Sequence, residues 1–309
     1  PRASFWSGAE MGATGLSRRA RVVSLCMAVG VALCLDLVGP GGRVDAWIWD
    51  RLSRLAAPHV DGRDTIVFAL DDASITDLQP LIGAWPYRRD VWAHVIAYLH
   101  DAGASHVTLD VLLADPREGD QQLLEVLQRH PTVALAAVPV AFELRADRGV
   151  DLPTGPRLRV QAGTPAREAA DLLGPVPQLQ AAALLGAASF TPDDDGTVRR
   201  VPVLTRIDDG HLPSLALWSL VGADRTVGLD RSWRGPDLAF GGSRVPVDGL
   251  GQVELRYPAR EPVLATRSVA ELVRAAVVPG SAPSLATEVK GRRVFIGATA
   301  MLLEEAIQT

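Results

Sequence analysis

Thr65-Ile66-Val67-Phe68-Ala69-Leu70 (TIVFAL, 65–70) is a continuous apolar run, preceded by the break at 58–63 and closed by Asp71-Asp72. A strand with one wet face alternates polar and apolar residues. A run without alternation fits a strand buried on both faces of a parallel sheet. Working outward, residues 88–103 place Trp92, Val95, Ile96 and Leu99 on one helical face. Asp90 falls in the first turn, where the helix dipole favours an acid, and Gly103 follows as a C-cap. HVTLDVLL (106–113) predicts a second strand and residues 118–129, with Leu123, Leu124 and Leu127, a second helix. TVALAAVPV (132–140) predicts a third strand. Strands alternating with helices indicate an α/β unit with right-handed crossovers.

Beyond residue 140 the texture changes. Residues 144–180 are rich in Pro, Gly and Arg with weak periodicity, and read as a long excursion. GAASFTPDDDGTVRRVPVLTRI (186–207) holds two candidate strands about a DDDG turn, a hairpin signal. A short helix is expected after Pro213, and DLAFGGSRVPV (237–247) carries a second hairpin turn at its Gly pair. QVELRY (252–257) predicts another strand, 267–276 a helix and RRVFIGA (292–298) a final strand. The expected fold is α/β or α+β, a mixed, largely parallel sheet flanked by helices.

Upstream lies VVSLCMAVGVALCLDLV (22–38), seventeen residues whose only charge is Asp36. As a helix it spans roughly 25 Å at about 1.5 Å per residue, the short end for a membrane crossing. Arg18, Arg19 and Arg21 precede it, and the positive-inside rule then holds the N-terminus in the cytoplasm. A cleaved signal peptide is the alternative, although no small-residue cleavage site stands out. The expected organisation is a cytoplasmic segment (1–21), a single transmembrane helix (22–39) and an extracytoplasmic domain (40–309). Val44, Trp47, Ile48, Leu52 and Leu55 recur at helical spacing just after the span, as in a juxtamembrane or a core helix.

Composition narrows the chemistry. The 309 residues carry a net charge of −5, divided as +2 over residues 1–39 and −7 beyond. Such a mildly acidic domain has no electrostatic footprint for nucleic acid. Lys290 is the only lysine, which removes P-loop and Schiff-base chemistry. Both cysteines, Cys26 and Cys34, sit in the apolar N-terminal stretch and leave the redox compartment open. The six histidines lack HExxH or i, i+4 spacing, so a zinc site is not expected, and no G-x-S-x-G is present.

Carboxylates at strand ends are the remaining candidates, because open α/β sheets bind ligands beyond the carboxyl ends of their strands. Asp71, Asp72, Asp110 and Asp115 fit that position, either as oxygen ligands for Mg²⁺ or Ca²⁺ or as turn caps and backbone acceptors. Asp193-Asp194-Asp195-Gly196 is half a calcium loop without the distal Glu, and a turn is the simpler reading. Gly83-Ala84-Trp85-Pro86-Tyr87-Arg88-Arg89 is the most unusual string. It suggests a turn before the helix, with an arginine meeting either a carboxylate or an anion. No cofactor or resident metal is expected.

Taken in order, these strings resemble the type 2 CHASE domain, an extracellular sensory domain of cyclases and kinases. The matching positions are Asp71 and Ser74, then Gly83, Trp85, Pro86 and Arg89, then Gly103-Ala104 with Asp110. Gly186 leads to Asp193, Asp195, Gly196, Val198, Arg199, Arg200 and Pro202; Leu212-Pro213-Ser214, Tyr257 and the strand 294–299 follow. The resemblance spans about residues 42–309 and implies a sensory input domain at the inner membrane, facing the periplasm. It implies further membrane helices and a cytoplasmic effector after the chain, a class III adenylate or guanylate cyclase in the first instance and a histidine or serine/threonine kinase in the second. Where the family shows an Asp after the last strand, this sequence has Glu304 and Glu305. The expected partners are the membrane, an unidentified extracellular ligand and a second copy of the chain. Asp71, Asp72, Trp85, Arg89 and Asp110 are the candidate ligand-facing or structural cluster, and Asp195, Gly196 and Arg199 order the turn. Two rival functions remain: a dimerisation scaffold without a small ligand, and a metal-dependent phosphohydrolase built on Asp71, Asp72, Asp110 and Asp115.

Overall fold

The computed structural model describes residues 22–23, 26–27, 30–31, 41–55, 62–142, 158–221, 225–232, 235–257, 264–278 and 280–299. The chain divides into two compact units, Pro1–Pro58 and His59–Thr309. In the first, α1 (Gly41–Leu55) is helical as its spacing predicts, with Trp47, Ile48, Leu52 and Leu55 exposed and Arg51 stacked over Trp47 at 5.5 Å. The expected membrane span at 22–39 lies mostly outside the described residues. Among the described residues no helix is long and apolar enough to cross a membrane.

The second unit is built on six parallel strands. They are β1 (Thr65–Leu70), β2 (His106–Asp110), β3 (Val133–Val140), β7 (Leu184–Ala187), β15 (Ala265–Ser268) and β16 (Arg293–Ala298), in the order β15-β1-β16-β2-β3-β7. Short segments between β3 and β7 are β4 (Arg159–Val160), β5 (Arg167–Glu168) and β6 (Asp171–Leu173), the last antiparallel to β3. The helices of the first half are α2 (Asp72–Ile82), α3 (Arg89–Asp101), α4 (Asp120–Arg129) and α5 (Pro177–Ala182). The second half adds α6 (Leu215–Trp218), α7 (Val269–Val277) and α8 (Pro283–Val289).

Four of the five connections between the parallel strands move across the sheet in one direction, so right-handed crossovers put their helices on one face; the fifth, from β7 to β15, runs back the other way. The core confirms this. Ile66, Phe68, Leu70, Val107, Leu109, Val133, Leu135, Val294 and Ile296 point into one cluster with Trp92, Ile96, Leu99, Leu123, Leu127, Leu272 and Leu285 of the helices. The alternate residues Ala134, Ala136 and Leu184 face the other way, into a second cluster with Leu215, Leu217 and Trp218. Trp218 donates its indole N–H to the Leu185 carbonyl at 2.6 Å, fastening α6 to β7.

That second cluster is shared with small sheets. The strands β8 (Arg200–Pro202), β9 (Leu204–Ile207), β10 (Gly210–Pro213), β11 (Thr226–Ser232), β12 (Gly235–Phe240), β13 (Ser243–Pro246) and β14 (Gln252–Glu254) form them with β4 and β5. They are antiparallel except where β4 joins β11 and β5 joins β9 in parallel. The Gly241-Gly242 hairpin between β12 and β13 is present, both glycines at positive φ. The expected DDDG hairpin is not a strand pair. Its turn forms, but β7 runs into the parallel sheet while β8 pairs with β14. Residues 158–180, read as irregular, instead supply three short strands and α5. The remainder of that excursion, 144–157, lies outside the described residues, as do Glu304 and Glu305. Helix α2, whose pattern is weak and which contains Pro80, was not expected.

Candidate functional site

The register aligns one row across the sheet near its carboxyl ends: Ser268 of β15, Ala69 of β1, Gly297 of β16 and Asp110 of β2. Parallel partners share a face, so this row lies opposite the helix-covered core. Asp110 ends its strand exposed at the sheet's carboxyl edge. A Cβ built on Gly297 stands 3.8 Å from one Asp110 carboxylate oxygen, so the glycine leaves a niche beside it. The carboxylate reaches water on one side while sheet atoms crowd the others, and that desolvation raises its pKa above the ordinary value. No hydrogen bond or ion pair ties it to another described residue.

Asp71 is used differently. It is the N-cap of α2, accepting from the Ser74 amide at 2.7 Å and the Ser74 hydroxyl at 2.5 Å. The Ser74 and Ser268 hydroxyls lie 2.9 Å apart, and Ser268 accepts from the Ala270 amide as the N-cap of α7. The starts of α2 and α7 are thus joined by one chain of polar contacts above β1 and β15. The Ser74 bonds hold the Asp71 carboxyl below its ordinary value. Asp72 is exposed in the first turn of α2, and its carbonyl accepts from the Thr76 hydroxyl.

Arg89 lies elsewhere, buried at the start of α3. Its Nε is 3.4 Å from an Asp120 carboxylate oxygen, and its Nη2 donates to the Asp115 carbonyl at 3.1 Å. Its amide donates to the Glu118 carbonyl at 2.8 Å. Burial lowers the guanidinium's pKa and Asp120 partly offsets it. The loop bends here at Gly119, whose φ of +93° suits glycine and where a Cβ would stand 2.2 Å from the Asp90 nitrogen. Trp85 packs edge-on against the buried Tyr87, ring centroids 5.1 Å apart, next to a cis Trp85–Pro86 bond. The five candidate residues therefore divide among a capping network, a buried ion pair with its aromatic neighbour, and Asp110.

Arg199 is buried and grips the turn before it, donating to Asp193 at 2.9 Å and to both oxygens of Asp195 at 2.9 and 2.8 Å. The Arg199 bonds to Asp195, and then the Thr197 amide, hold the Asp195 carboxyl well below the ordinary range. Gly196 supplies the positive φ and Tyr257 donates its hydroxyl to the Val198 carbonyl at 2.6 Å. Among the described residues, no three His, Cys, Asp or Glu side chains gather as a metal site.

Sequence reading passed over Ser268 and Asp120. Ser268 had a usable signal, since Ser268-Val269-Ala270-Glu271 has the S-x-x-E spacing of a helix start. Asp120 had only its place in the first turn of α4.

The profile of the CHASE2 domain matches residues 25–309, nearly the whole chain. The chain belongs to the CHASE2 domain family. CHASE2 domains are extracellular sensory domains. No curated protein and no solved structure matches this CHASE2 chain significantly.

Proposed function

We propose that this CHASE2 domain is the extracytoplasmic input module of a membrane receptor, anchored by the segment at 22–39 and regulating a cytoplasmic class III adenylate or guanylate cyclase. Its small-ligand site is the niche at the carboxyl edge formed by Asp110 and Gly297. The observation that carries the site is the Asp110 carboxylate, without a partner among the described residues and desolvated beside Gly297. Such a niche suits a small hydrogen-bond-donating or cationic ligand, which shifts a receptor only through its different affinity for two states. Ligand at about 100 times its dissociation constant stabilises the bound state by about 2.7 kcal/mol. Thermal shift of the 309-residue chain against amines, polyols and metal ions tests this directly. The expected hit disappears in Asp110→Asn, and a hit of equal size in that variant moves the site elsewhere.

A second reading is favoured by α1, whose exposed Trp47, Ile48, Leu52 and Leu55 suit a partner helix. There the domain is a dimerisation scaffold with no small ligand. Sedimentation of the wild type and of Leu52→Asp separates the two, since a scaffold dimer dissociates in the variant and a monomeric wild type rules the scaffold out.

A further inference from the structure

Three of the six histidines gather at the opposite, amino-terminal end of the sheet, where neither proposed function uses them. His106 is the first residue of β2. It is 7% exposed and its Nε2 has no hydrogen-bond partner. It shares its row with Arg293 of β16, and Thr108, two residues on and on the same face, is also buried with an unpartnered hydroxyl. The next residue along the Thr108 row is Ala134, a member of the cluster that packs on α6. Arg293 itself donates through Nε to the Ser219 carbonyl at the end of α6, at 3.0 Å. His106 thus lies on the sheet face that the small sheets and α6 cover.

On the helix face of the same edge, His100 lies in the last turn of α3 and His130 caps α4. Their rings stack with centroids 3.7 Å apart, and His130 Nδ1 is buried without a partner. Arg129 of α4 and Asp101 of α3 are the other charged groups acting on His130. For His106 the charged neighbour is Arg293, and β3 and α6 offer no compensating carboxylate.

We propose that protons are an input signal of this module: on acidification His106 takes up charge, and the contact of α6 with β16 opens. An imidazolium at His106 has a buried N–H without an acceptor, next to the Arg293 guanidinium. Opening exposes that N–H to water. Burial first, and Arg293 second, push His106 down to about 4 from its ordinary 6.5, and burial with His100 lowers His130. The sign follows. The closed form has its full stability above pH 6.5, loses it as the pH falls toward 4, and loses nothing more below that. Between pH 7.5 and 5.5 the open fraction is expected to rise about tenfold from His106 alone.

This inference rests on the sensory reading above, and its test separates the two. Histidine resonances of the 309-residue chain are titrated by NMR, and hydrogen exchange of β2, β16 and α6 is followed from pH 7.5 to 5.5 after correction for intrinsic rates. Protection at these elements is expected to fall about tenfold, and a folded His106→Gln is expected to lose most of that response while the surface variant His94→Gln keeps it. A His106 midpoint near 6.5 with unchanged protection overturns the proposal, as does an equal pH response in His106→Gln. Should that variant fail to fold, the wild-type titration still decides. An acid-driven opening that leaves the output of an attached effector unchanged would keep the switch and discard its sensory role.

Discussion

Arg89 is the side chain on which the first part of the chain closes, because it holds Asp120 and the Asp115 carbonyl from a fully buried position. A buried pair adds little net stability, yet removing one member strands the other charge. Arg89→Ala is therefore expected to destabilise the domain by about 3–5 kcal/mol, read as the urea midpoint. Arg89→Lys is expected to recover only part of this, since an ammonium cannot span both acceptors as the guanidinium fork does. Equal stability of Arg89→Ala and wild type would remove the pair from the architecture. The string Gly83–Arg89 announced an arginine seeking a carboxylate or an anion, and that much was legible. The partner was not. Asp120 is brought to it by the packing of α4 on α3 and by the bend at Gly119, and both are consequences of tertiary contact.

At the scale of elements, the long strands were legible because burial on both faces leaves a continuous apolar run. The first, third and last observed strands fall within a residue or so of the expected spans, whereas β2 stops at Asp110 rather than at 113. The two- and three-residue strands β4, β5 and β6 were illegible, since so short a segment has no periodicity and its pairing is set by distant partners. Helix α2 was missed for a related reason: its stripe is thin, and what starts it is the Asp71 cap. Ser74→Ala removes the contact that joins the Asp71 cap to Ser268, and the expected loss is about 1–2 kcal/mol at pH 7. The sign with pH is definite. A carboxyl held low contributes stability above its ordinary value of 3.8 and loses it as the pH falls through the lower folded value. The difference between wild type and Ser74→Ala is thus expected to shrink on acidification below that range, and denaturant melts at pH 7 and pH 3 check it. A difference that grows in acid would mean the hydroxyl acts through something other than Asp71.

At the scale of the whole unit, the order β15-β1-β16-β2 interleaves the end of the sequence with its beginning. β16 pairs along its length with β1 on one side and β2 on the other, and Val294 and Ile296 sit in the same core as Phe68 and Trp92. No periodicity in the sequence announces that insertion, because a parallel strand looks the same whichever neighbours it finds. The consequence is thermodynamic. Neither half of the unit can close its sheet alone, so the helix-covered core and the core beneath α6 share β3 and fold together. A chain ended at 290 lacks the middle strand and leaves the facing edges of β1 and β2 without ladder partners. It is expected to show no cooperative thermal transition, although β1, β2 and β3 and their helices are intact in sequence. The substitution Ile296→Asp makes the same point without truncation, since it puts an unpaired carboxylate in that core beside β1 and β2. Fluorescence of chains retaining only Trp92 or only Trp218 is expected to report one shared midpoint for the two cores at pH 7.5. A truncated chain that still melts cooperatively, or two separate midpoints at that pH, would show that the cores are independent and that β16 only decorates an already stable sheet.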